Sequence, residues 1–297
     1  MSKISVIMNC YNGSKYLKES LESVINQTYS DWELIFWDNQ STDSSAEIFF
    51  QFNDSRFNYF YAKEHTLLYE ARNYAVEKTS GDFLTFLDVD DLWSIDKLEK
   101  QIELFNDKKV GLVYGNYSVF GKDINNYKHS KIKKLPSGYT LDKLLEEYSV
   151  GLLTIMIRRN AYESLTKKFD KRFHIIGDFD LVLRLSSNWK FECIQEVIAF
   201  YRQHDDNESL KHRDKFIKES LIWYSEMKFH PDFSSKEIIY KRFNLYLYHD
   251  AILDKVQGGS LMRAISIFRL LPMNALKLKL FIIILTPNFF YHLIKKN

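Results

Sequence analysis

Residues 83–91 read Phe-Leu-Thr-Phe-Leu-Asp-Val-Asp-Asp, an apolar run that stops within one residue at a cluster of carboxylates. A short, almost wholly apolar run of this kind fits a strand buried on both faces, and the acids then mark the place where the strand leaves the core. Four more runs of strand length share the first half of the chain with it: Ile4–Met8, Glu33–Trp37, Phe57–Tyr61 and Val110–Tyr114. Amphipathic segments fall between them. Lys15–Asn26 sets Tyr16, Leu17, Leu21, Val24 and Ile25 on one helical face, and Ser44–Phe52, Tyr69–Lys78 and a helix capped by Ser94 and running to Phe105 follow. Strand and helix alternating at this spacing predict right-handed crossovers and an α/β fold, with a mostly parallel sheet flanked by helices. Ligands of such sheets bind beyond the carboxyl ends of the strands, where the strand order reverses. The polar clusters of the first half stand just after strands.

The second half is less regular. Residues 122–140 are polar and basic, a solvated loop or a flap beside an anionic ligand. Leu141–Tyr148 predicts a helix, Leu152–Ile157 a strand, Phe179–Ser186 a helix and Val197–Phe200 a strand. Ser234 with Glu237 forms a capping-box pattern, opening a helix that Gly258-Gly259 would end. With 297 residues, 45% of them hydrophobic, the chain can bury a sizeable core, and disorder is excluded. Two cysteines, Cys10 and Cys193, make no disulfide framework and suit a reducing compartment. The N-terminal apolar run is shorter than a signal peptide needs and reads as a strand. Charge is segregated: after Asp254 come Lys255, Arg263, Arg269, Lys277, Lys279, Lys295 and Lys296, with no acid among them. A balanced body with a cationic apolar tail argues against a nucleic-acid groove and towards an anionic membrane surface.

GxGxxG, GxSxG and HExxH are absent, and Gly115 with Gly121-Lys122 has the wrong spacing for a phosphate loop. If the fold takes a nucleotide, its phosphates need another source of neutralisation. Asp88-Val89-Asp90 is the candidate, because an extended backbone puts carboxylates two residues apart on one side. Crowded acids raise one another's pKa unless a cation joins them, and hard oxygen donors favour Mg2+ or Mn2+ together with substrate phosphates. The plainer reading is a turn whose aspartates cap the next helix.

These residues resemble the family 2 glycosyltransferases, which have the Rossmann-like GT-A fold. The resemblance rests on Leu87–Trp93 (LDVDDLW) with Lys97–Phe105 after it, on Ile4–Leu17, on the SVINQTY segment from Ser23, and on Asp38 with Ser41-Thr42-Asp43. Ala71-Arg72-Asn73 and Ser80-Gly81-Asp82 extend it, and it covers roughly residues 1–210 in the family's order. It implies a catalytic domain over 1–210, with a nucleotide-binding half 1–115 and an acceptor-side half 116–210. A helical region 211–297 with its basic apolar tail 255–297 would follow. It further implies that Tyr11 lines the base, Asn12 contacts it, Asp38 accepts the uracil imide, and Arg72 faces the nucleotide. Asp88, Val89 and Asp90 would hold the donor, and Asp90, Asp88 and His204 would ligate Mg2+ or Mn2+. Asp178 would be the catalytic base. Asp178 and Asp180 stand about 200° apart on a helix, so one of them faces the donor. This chain departs from the pattern at Asn9, where the family often has Pro. It departs again at Gln40, where a Gly usually permits a left-handed turn, and at Gly177, where many relatives have Glu.

The implied reaction is inverting transfer of a sugar from a nucleotide-sugar donor, a UDP-sugar by the Asp38 contact, to a glycan or lipid-linked acceptor in cell-surface polysaccharide synthesis. The protein would sit in the cytoplasm, peripheral on the inner face of the membrane. Two alternatives stand beside it: a non-catalytic scaffold of a polysaccharide assembly complex, and a sugar-phosphate nucleotidyltransferase, whose Gly-rich loop after the first strand is missing here. For the tail the alternative is a helical hairpin folded back on the catalytic domain, or a contact between copies in a homo-oligomer. Leu280–Ile294 is too short, at about 20 residues for a span, to cross a bilayer.

Overall fold

The computed structural model describes residues 2–121, 134–205, 207, 211–234, 236–256, 261–271 and 275–285. They form two compact units, Met1–Asn207 and Glu208–Asn297. The basic stretch 122–133, the Gly258-Gly259 stop signal and Pro287-Asn288 lie outside the described residues.

The first unit is built on one mixed eight-stranded sheet. Its strands are β1 (Ile4–Cys10), β2 (Trp32–Asp38), β3 (Phe57–Tyr61), β4 (Phe83–Phe86), β5 (Leu92–Trp93), β6 (Val110–Phe120), β7 (Met156–Arg158) and β8 (Lys190–Arg202). The spatial order is β3-β2-β1-β4-β7-β6-β8-β5. β1 pairs in parallel with β2 and β4, as do β2 with β3 and β6 with β8, whereas β7 runs antiparallel to β4 and β6, and β5 antiparallel to β8. Every residue of β1 and β2 is buried, as strands covered on both faces require. Helix α1 (Ser14–Ile25) turns Leu17, Leu21 and Val24 onto the sheet at helical spacing. The remaining helices of this unit are α2 (Ser45–Phe50), α3 (Leu68–Val76), α4 (Lys97–Ile102), α5 (Leu141–Glu146), α6 (Arg159–Ser164) and α7 (Gly177–Ser186).

Two local expectations change. Leu152–Thr154 forms a 3-10 turn, and the strand begins only at Met156. Ser94 is no cap: Asp96 precedes α4, and the Ser94 hydroxyl donates to the Asp96 carboxylate at 2.9 Å. Trp93 is core, its indole N–H donating to the Leu153 carbonyl at 2.8 Å. Trp189 packs against Gly111 beside the first residues of β6 and β8, the edge of the sheet opposite the strands' carboxyl ends.

Chain order fixes where a ligand can enter. From β1 the chain moves outward to β2 and β3, then returns to place β4 on the other side of β1. The order reverses between β1 and β4, so the crevice opens beyond Cys10 and Phe86. Tyr11, Asn12 and the Asp88–Asp91 cluster follow those two strands directly.

The second unit contains α8 (Arg213–Met227), α9 (Glu237–Val256), α10 (Leu261–Leu270) and α11 (Ala275–Leu285). Leu247, Tyr248 and Ala251 of α9 share a buried cluster with Ile267, Leu271 and Leu280. The last two helices are therefore packed on α9 along one side, within the second unit. Their other side exposes Met262, Leu270, Leu278, Phe281 and Ile282. Among the described residues, no helix is long and apolar enough to cross a membrane.

Candidate active site

Two turns form the floor of the crevice. The turn after β1 is tied to the turn after β2: Asn12 N–H donates to Ser41 Oγ (3.0 Å), Gly13 N–H to Ser45 Oγ (3.1 Å), and Ser14 N–H to Asp43 Oδ2 (2.9 Å). Asp43 thereby satisfies an orphan amide at the start of α1 and meets the positive end of its dipole. Asn12 and Gln40 both adopt left-handed backbone, with φ of 52° and 69°. Gln40 holds the conformation that a glycine would reach freely, its side-chain amide donating to the Lys63 carbonyl at 2.9 Å.

Asp38 ends β2 with both carboxylate oxygens already engaged inside the protein. It is 1% exposed. One carboxylate oxygen accepts from the Tyr59 hydroxyl at 2.6 Å and the other from Ser41 N–H at 2.7 Å. Tyr59 arrives from β3, a partner that the sequence around Asp38 does not announce. Asn12 likewise spends its side-chain oxygen on Thr42 N–H at 2.8 Å. The ring open to the crevice rim is Tyr11, exposed and 4.3 Å from the His65 ring.

The acidic turn after β4 is pinned from two sides. Ser20 Oγ of α1 lies 2.8 Å from the Val89 carbonyl and 2.7 Å from that of Asp91. Arg202, at the end of β8, is buried and donates from Nε to the Asp90 carbonyl at 2.9 Å and from Nη2 to Glu19 at 2.7 Å. Its backbone N–H donates to Asp91 Oδ1 at 2.9 Å. Burial and the neighbouring Asp90 and Asp88 push the Asp91 carboxyl well above its usual range.

The other two carboxylates diverge. Asp88 turns to the buried Arg72 guanidinium at 2.6 Å, and Asp90 sits 2.9 Å from His204 Nε2. Burial and the Asp88 charge hold the Asp90 carboxyl above its ordinary value, against the His204 hydrogen bond. Among the described residues, no group of three His, Cys, Asp or Glu side chains is gathered as a metal cage. Of the expected set, Asp90 and His204 stand together, while Asp88 is paired with Arg72. A carboxylate destabilised by burial and by a second acid still fits a divalent cation, and Mg2+ and Mn2+ commonly bind through one or two carboxylates with phosphates completing the shell.

Arg72 leads on to the second acidic position. It lies over the Tyr69 ring at 5.2 Å, and the Tyr69 hydroxyl is 3.0 Å from Asp178 Oδ1. Asp178 stands in the first turn of α7 and is half-buried. Burial raises its carboxyl above the usual value, with the Arg72 charge and the Tyr69 hydrogen bond acting against the rise. Asp180 faces elsewhere: it is buried in an ion pair with Arg184 at 2.6 Å. Gly177 also has a reason here, since a Cβ at that position would lie 2.5 Å from the Tyr69 ring. The glutamate of many relatives has no room.

The chain Asp88–Arg72–Tyr69–Asp178 thus joins the β4 turn to the start of α7. Arg72, Asp88, Asp90, Asp178 and His204 were legible as candidates, whereas Arg202, Ser20 and Tyr69 were not. The local Asp178-Phe179-Asp180 pattern reveals nothing about a tyrosine more than 100 residues away.

The family profile described as "Glycosyl transferase family 2" matches residues 5–173, more than half of the chain. The chain belongs to glycosyl transferase family 2. It is 36% identical over 171 residues to the UDP-Glc:alpha-D-GlcNAc-diphosphoundecaprenol beta-1,3-glucosyltransferase of Escherichia coli, a match covering 56% of this chain and 64% of that protein. The chain therefore spans less than two thirds of that relative's length. An uncharacterized glycosyltransferase of Haemophilus influenzae is 34% identical over 201 residues, 66% of this chain and 74% of the other. Among solved structures, S. aureus TarS 1–349 with UDP-GlcNAc aligns with a TM-score of 0.70 at 14% identity, over 91% of this chain and 82% of that one. The mannosyltransferase of Pyrobaculum calidifontis with GDP-Man and Mn2+ gives 0.60 at 16% identity, over 88% and 77%. At these identities the likeness is one of fold, and the fold of this family 2 chain is GT-A-like.

Proposed function

We propose that this protein is an inverting glycosyltransferase that moves a sugar from a UDP-sugar to a hydroxyl of a lipid-linked glycan in cell-surface polysaccharide synthesis. The observation that carries the reading is the chain of contacts from Asp88 through Arg72 and Tyr69 to Asp178, which joins a cation-ready acidic turn to a carboxylate with a raised pKa. The E. coli relative's name, with UDP-Glc as donor and a diphosphoundecaprenol-linked sugar as acceptor, supports the donor and acceptor classes.

Each residue then has a task. Tyr11 offers an exposed ring to the base, flanked by His65. Arg72 and the β4 turn, with Val89 packed at the Gly13 approach, orient the diphosphate. Asp90 and His204 would hold Mg2+ or Mn2+, as the Mn2+ in the P. calidifontis complex suggests. When bound, the ion acts as a Lewis acid that neutralises charge on the departing diphosphate. Asp178 takes the proton from the acceptor hydroxyl as that oxygen attacks the anomeric carbon from the face opposite the diphosphate. The C–O bond to the diphosphate breaks as the new glycosidic bond forms, and one displacement inverts the centre. Asp38 and Asn12 act here as turn formers, and Asp38 would reach a uracil only through the two acceptor sites its partners leave.

The test is turnover against UDP-, dTDP- and GDP-sugars with Mn2+. A UDP-sugar should be consumed, EDTA should stop the reaction, and Asp90→Asn should abolish it with an unchanged circular dichroism spectrum. Undiminished turnover in EDTA removes the metal-assisted mechanism, and failure to consume any sugar nucleotide leaves the scaffold reading.

A further inference from the structure

The hydroxyl of Tyr148, just beyond α5, is buried and has no hydrogen-bond partner among the described residues. Its ring packs edge-on against Phe179 with centroids 4.9 Å apart, and Phe179 adjoins Asp178 in α7. Burial, then the Asp178 charge and the Tyr69 hydroxyl, drive the Tyr148 hydroxyl well above its normal pKa. The group is therefore a protonated donor close to the proposed base. Buried hydroxyls are nearly always satisfied, so an orphan one beside a reactive carboxylate calls for a partner, and a substrate hydroxyl can supply it.

We propose that Tyr148 is an acceptor-binding residue, its hydroxyl donating a hydrogen bond to a pyranose hydroxyl next to the one that Asp178 deprotonates. The ligand class is a sugar with vicinal hydroxyls, one presented to Asp178 and its neighbour to Tyr148. Tyr69 is excluded from this role because its hydroxyl is already committed to Asp178 and lies 2.9 Å from the Ile175 carbonyl. Tyr114 is excluded as well, since its hydroxyl donates to the Pro136 carbonyl at 2.6 Å. This inference rests on the reading of Asp178 as the base.

The experiment is Tyr148→Phe in the full chain, with a readout that needs no acceptor and one that does. Removing a hydroxyl with no protein partner should leave the thermal midpoint unchanged or higher. With the alkyl glycoside that the wild type uses best, drawn from a panel of glucosides, galactosides and N-acetylglucosaminides, the acceptor KM should rise about 10-fold. The donor KM and the slow hydrolysis of donor by water should stay as they are. A lowered midpoint would show that the hydroxyl has a structural partner and overturn the proposal, as would an unchanged acceptor KM. If Asp178→Asn keeps the wild-type rate while Tyr148→Phe still weakens acceptor binding, the base assignment has failed and the acceptor contact has not.

Discussion

Asp178 and Asp180 illustrate how two identical side chains diverge on one helix. Asp180 is consumed by Arg184, which also donates to the Lys168 carbonyl at 2.7 Å, so it belongs to the packing of α7. Asp178 faces Arg72, Tyr69 and Tyr148. Asp178→Asn should lower the transfer rate by about 10²-fold or more while sparing donor affinity. Asp180→Asn should act on stability instead, costing about 3 kcal/mol by leaving a largely buried guanidinium without its counter-ion. The pH dependence separates them again. A base must be ionised, so kcat/KM should fall as pH drops through the Asp178 pKa, at a pH above the ordinary carboxylate value of about 3.9, and Asp178→Asn should lack that limb. The linkage has a definite sign. A carboxyl with a raised folded-state pKa loses its stabilising contribution as pH rises through that pKa, so Asp178→Asn should melt no lower than wild type at neutral pH. A reversal, with Asp180→Asn inactive and Asp178→Asn active, would shift the base by two residues.

At the scale of elements, β1 to β4 and their helices were legible because apolar continuity and helical periodicity are local. The acidic turn was legible for the same reason, since it ends an apolar run. What fastens that turn was not, because Arg202 and His204 reach it from more than 100 residues away, and no local pattern encodes that meeting. The 3-10 turn at Leu152–Thr154 escaped because a short apolar run carries no period of its own. The turn after β2 lies between these cases: the missing glycine left open whether the backbone avoids the left-handed region or strains to adopt it, and φ of 69° at Gln40 is the second outcome. The Lys63 hydrogen bond offsets that strain. Gln40→Ala keeps the left-handed cost and loses the bond, whereas Gln40→Gly loses both. The glycine variant should therefore be more stable than the alanine variant by about 1 kcal/mol in denaturant titrations. Equal stabilities would mean that the turn relaxes out of the left-handed region once the side chain is cut.

Across the whole molecule, charge and apolar exposure are segregated together. The seven cations after Asp254 share their stretch with an apolar face that α9 leaves open. On α11, Leu278, Phe281 and Ile282 are exposed at i, i+3 and i+4, with Leu280 buried on the opposite side. Lys279 lies about 100° from Leu278, where its stem can flank an inserted face and lift the charge to headgroup level, whereas Lys277 donates to the Leu271 carbonyl at 2.9 Å. A face of this composition has the chemistry of an interfacial helix, so binding to an anionic bilayer is the property to test. Deleting residues 261–297 would be a poor test, because Leu247, Tyr248 and Ala251 would lose the cover of Ile267, Leu271 and Leu280. Substitution on the exposed side is cleaner. The wild type should bind phosphatidylglycerol vesicles and not phosphatidylcholine ones, and salt should weaken the binding. At ~1 kcal/mol per cation near an anionic surface, Arg269→Gln with Lys279→Gln should lower vesicle affinity about 30-fold, and Leu278→Ser with Ile282→Ser should abolish it. Transfer to an alkyl glycoside in solution should be unaffected by either pair. If vesicle binding ignores both pairs while the sedimentation coefficient falls, the face joins two copies of the chain instead.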